Sequence, residues 1–361
     1  IEDRIPRQPE TALQLAAIIS TAARDEGLLP LDSAAVAAIL DHAIRKAGDA
    51  ERYSTQVGDL IDLAREASHL AAARGGSVAS ADSVTAALDG RIRRGSRVRD
   101  LIYERIAQEV VLVDVAGSAV GQVNGLSVLQ AGSLAFGQPS RITARVRMGR
   151  GGVLDIEREA KLGGALHTKG VMILQGFVAQ HYLPDRPLTL SASLVFEQSY
   201  GGVDGDSASM AELCALLSAI SGVPIRQDLA MTGSVNQHGV SQAIGGVNEK
   251  IEGFFDICRE AGLSGSQGVI IPQSNVRHLM LREDVVAAAR EGKFRIHAVS
   301  NVDEALSLLT GMATGPRGED GAFAEGTVHR LVEDRLTAFA KASKAAASDK
   351  GREPDPQEGA G

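Results

Sequence analysis

The chain has 361 residues, 44% hydrophobic and 23% charged, an ordinary balance for a globular protein and enough for two domains or one large one. Its formal net charge of −8 excludes a general nucleic-acid surface, which needs clustered positive charge, and no apolar run approaches the ~20 residues that span a bilayer. Aromatic residues make up only 3% and Trp is absent, so the core must come from Ala, Val, Leu and Ile.

The first hundred residues predict helices. Pro9 suits a first turn, and an Ala/Leu/Ile-rich stretch follows to Ala23. Asp32 or Ser33 caps a second helix to about Lys46, with Val36, Ile39, Leu40 and Ile44 on one stripe. A third begins after Ser54-Thr55, carries Leu60, Leu63, Ala67 and Leu70, and stops at Gly75-Gly76. Ala81-Asp82-Ser83 opens a fourth that continues past Arg97 towards Ile106. The basic run Arg91-Ile92-Arg93-Arg94-Gly95-Ser96-Arg97 within it is read as a solvated helix face or a subunit contact.

Near Val110 the period changes. Val110–Val115 and Gly121–Leu129 are expected strands, and Ile142–Arg147 alternates with a period of two. A helix from about Gly170 to Tyr182 and a strand from Leu188 to Glu197 follow. A Gly-rich loop, a helix over Ser207–Ser221 and a Gly222-Val223-Pro224 stop come next. Strand Leu229–Gly233, helix Asn248–Ala261, strand Gly268–Pro272 and helix Val302–Leu309 complete an α+β domain. The expected organisation is a helical bundle over 1–108, an α+β domain over 109–314 and a polar tail over 315–361. That tail is partly helical around Val328–Ala346, its last dozen residues are expected to be disordered, and it is given no catalytic role.

Cys214 and Cys258 lie in apolar helical patterns without a C-x-x-C partner, so buried free thiols in a reducing compartment are expected, with no metal site. The opening Ile1-Glu2-Asp3-Arg4 is neither a signal peptide nor an initiator methionine. The expectation is a cytoplasmic chain, either part of something longer or processed.

Two local patterns carry chemistry. Gly201-Gly202-Val203-Asp204-Gly205-Asp206-Ser207-Ala208-Ser209 ends a strand-loop segment and opens an apolar helix. It puts a hydroxyl beside free backbone N–H groups that favour negative charge, as a tetrahedral oxyanion would require. Ala243-Ile244-Gly245-Gly246-Val247-Asn248-Glu249-Lys250 also opens a helix, with Lys250 in its first turn. A partly desolvated lysine at a positive helix end has a lowered pKa, and only a neutral amine accepts a proton. Each pattern alone is weak: a Ser near glycines is most often a helix cap, and a first-turn Lys is most often exposed.

Together these residues resemble the protease domain of the Lon family, in the branch of archaeal-type Lon and related bacterial proteins. The Gly-Asp-Ser-Ala-Ser nucleophile motif is matched by Gly205 to Ser209, and the Ile-Gly-Gly segment before the base lysine by Ile244 to Lys250. Pro224–Ser234 resembles the family strand whose threonine, Thr232 in this chain, helps hold the lysine, and Gly121–Leu126 resembles the start of the protease fold. The resemblance covers about Val110 to Leu309. It implies a serine endopeptidase with a Ser207–Lys250 dyad, supported by Thr232, Asp206 and Ala208, acting on unfolded protein or peptide substrates in a homo-hexamer. Asp206 caps the helix or gates the site.

Other families fit worse. The chymotrypsin motif needs two glycines where Ala208 and Ser209 stand, and the Gly-x-Ser-x-Gly elbow of α/β-hydrolases is absent around Ser207. His167 and His238 are read as structural rather than as triad bases, with His167 kept as a candidate for lining the substrate cleft.

The helical bundle resembles the small lid of an AAA+ module, although Gln56 stands where related sequences tend to place a nucleotide-sensing arginine. No Gly-x-x-x-x-Gly-Lys-[Ser/Thr] loop is present, so no cofactor is expected in this chain, and ATP and Mg only if an ATPase core lies upstream. That is the favoured reading. An ATP-independent Lon-like peptidase, or a catalytically silent Lon-fold ring subunit or adaptor, stays open.

Overall fold

Residues 3–350, apart from 133, 150, 151 and 320, are described by a computed structural model. Along the chain run β1 (Arg4–Pro6), α1 (Pro9–Asp25), α2 (Ser33–Ala47), β2 (Arg52–Ser54), α3 (Val57–Ala73), α4 (Ala81–Gly95) and α5 (Arg97–Ala107). Local chemistry sets several of these bounds. Pro9 opens α1, and Asp32 Oδ1 accepts a hydrogen bond from Ala35 N at 2.7 Å to cap α2, which Gly48 ends with a left-handed φ of 62°. Leu15, Ile19, Ile39, Ile44, Leu60, Leu63 and Val84 form the bundle's own core. The fourth helix does not run through as expected. It breaks at Gly95-Ser96, where the Ser96 hydroxyl donates to Asp100 Oδ2 at 2.6 Å and starts α5. From the basic run, Arg91 and Arg94 both reach Glu66, and Arg91 also reaches Asp59.

The second half holds β3 (Ser118–Ala119), β4 (Gln122–Ala131), β5 (Leu134–Met148), β6 (Gly152–Asp155), α6 (Ile156–Glu159), α7 (Ala165–Tyr182), β7 (Leu190–Phe196) and α8 (Ser209–Ser221). After these come β8 (Ile225–Arg226), β9 (Leu229–Met231), β10 (Ser234–Val235), β11 (Ser241–Gln242), α9 (Val247–Ala261), β12 (Gly268–Pro272), α10 (Glu283–Arg290), β13 (Arg295–Val299), α11 (Val302–Thr310) and α12 (Val328–Lys350). Among the described residues a seven-stranded mixed sheet has the order β13-β12-β9-β4-β5-β7-β6. Its alternating side chains feed two cores. Val123, Leu229, Met231 and Ile270 join α7, α8, α11 and α12 on one face, whereas Leu126, Ala230, Val269 and Ile271 meet α9 and α10 on the other.

Val110–Val115 is not a strand. Its backbone finds side chains instead of a neighbouring strand: Leu112 N donates to Gln198 Oε1, Gln198 Nε2 donates to Val110 O, and Asn124 Nδ2 donates to Asp114 O. From 315 onward the chain contributes α12, whose Val332, Leu336 and Phe339 join the α8-side core and whose Val328 is also buried, and residues 351–361 lie outside those described. No helix among the described residues is long and apolar enough to cross a membrane.

Two contacts fix α9. The first joins it to the bundle: Arg45 of α2 binds both carboxylate oxygens of Glu252, at 2.7 and 2.6 Å, and donates to Met280 O at 2.7 Å. The second presses it onto the sheet at a pair of glycines. A Cβ at Gly253 would collide with the Gly137 carbonyl oxygen and lie 2.7 Å from Gly137 Cα, and a Cβ at Gly137 would strike the Glu249 carbonyl and come 2.9 Å from Lys250 Cα. Tyr103 Oη of α5 donates to that same Gly137 oxygen at 2.7 Å. Gly253→Ala therefore sets a helix-propensity gain of about 1 kcal/mol against an overpacking cost of about 1–3 kcal/mol or more. Because the colliding atoms are backbone, overpacking wins. Urea unfolding should show a net loss of about 1–2 kcal/mol, and a stabilised Gly253→Ala protein would refute the contact.

Candidate active site

Ser207 lies on the turn between the Gly-rich loop and α8. Asp206 O accepts from Ser209 N, Gly233 N donates to Ser207 O at 2.8 Å, Met210 N donates to Gly233 O, and Val235 N donates to Ser209 Oγ. These bonds pin the turn to the segment between β9 and β10. The N–H groups of Ser207 and Ala208 precede the first helical bonds of α8 and meet no acceptor among the described residues, which leaves them free for an anionic oxygen.

Lys250 stands in the first turn of α9, where its N donates to the carbonyl of Gly246, the left-handed N-cap residue. Its side chain points inward and the residue is 3% exposed. Lys250 Nζ is 3.0 Å from Ser207 Oγ and 3.0 Å from Thr232 Oγ1, and Thr232 Oγ1 donates to Ser207 O at 3.2 Å. A threonine hydroxyl has one proton, so with that proton on the Ser207 carbonyl it must accept from the amine. Burial pushes the Lys250 pKa down to about 8, while the carboxylates of Asp206 and Glu249 pull the other way.

Asp206 is no helix cap. Its Oδ2 accepts from Ser234 Oγ at 2.8 Å, and α8 has no side-chain cap, with buried Ala208 at the N-cap position. The part played by Ser234, two residues past Thr232, is not evident from the sequence. Neither is that of Gly137, which is 113 residues from Lys250 in sequence and meets its backbone in space (250 − 137). His167 does not line an open cleft. It is buried at 1% exposure between Asp155 and Glu212, and His238 is exposed on the Asn236–Val240 turn. Cys214 and Cys258 are buried and unpaired, and no group of three or more His, Cys, Asp or Glu among the described residues is arranged to hold a metal. A cavity of about 410 Å³, lined in part by Ile102, Arg105, Gln138 and Tyr200, lies between α5, β5 and the start of the Gly-rich loop.

Comparison with known families matches both halves. Residues 30–94 match the Archaeal LonB AAA+ ATPase LID domain, and residues 200–311 match the Lon protease (S16) C-terminal proteolytic domain. A "Putative Lon protease homolog" from Escherichia coli strain K12 is 44% identical over 276 residues, covering 76% of this chain and 46% of its own length. A protein of the same name from Haemophilus influenzae is 43% identical, over 66% of this chain and 40% of its own length. An Archaeal Lon protease from Archaeoglobus fulgidus is 29% identical, over 85% of this chain and 47% of its own length. The chain thus spans less than half the length of these relatives. Its lid and its proteolytic domain both carry the family's sequence, and the chain belongs to the Lon protease family.

Proposed function

We propose that this chain is the proteolytic part of a Lon-type serine endopeptidase in which Ser207 is the nucleophile and Lys250 its base. The observation that carries the reading is the buried amine, 3.0 Å from the Ser207 hydroxyl and pushed towards neutrality by its surroundings. Neutral Lys250 takes the Ser207 proton as Oγ attacks the scissile carbonyl, and the developing oxyanion meets the N–H groups of Ser207 and Ala208. The lysine then gives its proton to the leaving amine, and water releases the acyl group by the same route in reverse. Thr232 keeps Nζ aimed at Ser207.

The substrates proposed are unfolded proteins, and the assembly a homo-hexamer, as the family's ring architecture implies. The lid match supports coupling to an AAA+ ATPase, whose core would hold ATP and Mg, since this chain has no phosphate-binding loop. A reducing compartment, the cytoplasm, is proposed on the two unpaired thiols.

Three outcomes test the reading. Ser207→Ala should lower casein cleavage by about 10³-fold or more with the circular dichroism spectrum unchanged, and a folded variant that still cleaves at the wild-type rate removes Ser207 from the mechanism. In wild type, kcat/KM should rise about tenfold per pH unit and level off above a pH of about 8; a rate flat from pH 6 to 9 contradicts a lysine base. Lys250 also bears on stability. Its folded pKa lies below the unfolded value, so at neutral pH the amine is charged in both states and the cost of burying it applies in full. The cost fades as pH rises from about 8 to the unfolded value. Lys250→Met should abolish cleavage yet raise stability at pH 7 by roughly 1–2 kcal/mol, the desolvation cost less the lost hydrogen bonds. A melting temperature that falls, or cleavage that survives, counts against the assignment.

A further inference from the structure

His167 has no part in that chemistry, and its surroundings are unusual for a core histidine. Nε2 is 2.9 Å from Glu212 Oε1 on α8, and Nδ1 is 3.4 Å from Asp155 Oδ2 at the end of β6, an ion-pair contact longer than a hydrogen bond. Both carboxylates are buried, and the Phe196 ring of β7 packs edge-on against the imidazole with centroids 5.6 Å apart. Two carboxylates out of water need a cation between them, and a neutral imidazole has one N–H and could serve only one of them. Burial opposes the charge on His167, but the two carboxylates outweigh it and push its pKa up to about 10. Glu157 of α6, the other acid facing the cluster, is held above its usual range by burial while its Oε1 accepts from Phe196 N at 2.9 Å.

The cluster sits directly behind the turn that carries Ser207. At Gly170, one turn along α7 from His167, a Cβ would come 3.4 Å from the Cβ of Ser209 and 3.6 Å from that of Asp206. Ahead of the turn, Val203 N donates to Leu162 O at 2.9 Å and Gly164 N donates to Val203 O at 2.8 Å. The strap from Asp155 to Gly164 and the first turns of α7 therefore hold the loop before Ser207 through Val203, and the helix after it through His167 and Glu212.

We propose that His167 is a positioning residue for Ser207: as an imidazolium bridging Asp155 and Glu212, it clamps α8 to the strap and so fixes the serine's turn relative to Lys250. The proposal rests on the reading of Ser207 as the nucleophile, but the clamp can be measured without turnover. His167→Gln keeps bulk and a donor but loses the charge. It should fold, lower kcat on a fluorogenic casein peptide about tenfold or more with KM within about twofold, and speed hydrogen exchange of amides 205–212 about tenfold. Its rate relative to wild type should rise as pH falls from 8 to 6, because the two carboxylates then take up the proton that replaces the lost cation. Adding Glu212→Gln removes the surplus negative charge and should recover much of both the rate and the protection from exchange.

A folded His167→Gln protein with wild-type kcat and exchange overturns the clamp, as does a lower melting temperature with kcat, exchange and the pH ratio unmoved. If His167→Gln does not fold, Glu212→Gln alone, which leaves His167 its contact with Asp155, is read in the same way. Exchange that responds as stated in a chain that cleaves nothing even as wild type would keep the clamp and sink the nucleophile assignment.

Discussion

In the dyad proposed for Ser207 and Lys250, the lysine can take a proton only where water does not keep it charged, and the structure around Lys250 meets that requirement. The amine has to be buried, its three bonding directions have to be satisfied or aimed, and the helix that carries it has to lie against the sheet with almost no gap. The contact of Gly137 with Gly253 meets the last demand: side chains at either position would lift α9 away from β5. Thr232 meets the second by standing between Nζ and the Ser207 carbonyl. Burial of Lys250 costs stability in the charged state, and the surrounding cores of Val, Leu, Ile and Phe offset it.

The same helix is the bundle's main anchor on the proteolytic domain. Glu252, two residues from Lys250, receives both arms of Arg45 from α2 and also accepts from Arg282 N, while Arg277 reaches Glu51. A bidentate guanidinium on a buried carboxylate fixes direction as well as distance. The orientation of the lid and the position of the amine are therefore set by adjacent turns of one element.

Much of this was legible in the sequence because it is written in local signals. Pro9, Asp32 and Gly48 mark helix ends through backbone chemistry that acts within a few residues, and the Gly205–Ser209 and Ile244–Lys250 wording places Ser207 and Lys250 at helix starts. What escaped depends on distant partners. Val110–Val115 is rich in β-branched residues like a strand, but its backbone is bonded by Gln198 and Asn124 side chains. β13 reads as polar because Arg295 and His297 lie on a sheet edge. β6, α6 and α10 are short, with too few residues to show a period. No periodicity links His167 to Asp155 and Glu212, twelve residues back and forty-five ahead (167 − 155; 212 − 167).

The terminal helix α12 redraws the unit that folds. Its buried residues at 328, 332, 336 and 339 recur at helical spacing, and the last three share one core with α8, which carries eleven buried positions. Tyr182 Oη of α7 lies 2.6 Å from His329 Nδ1, and His329 Nε2 lies 2.9 Å from Asp303 of α11, so the helix is tied down at its root as well as packed along its length. The family match ends at 311. A domain cut there for transplantation or crystallisation would remove α12, which packs against α8, the helix behind Ser207. The portable piece extends through α12.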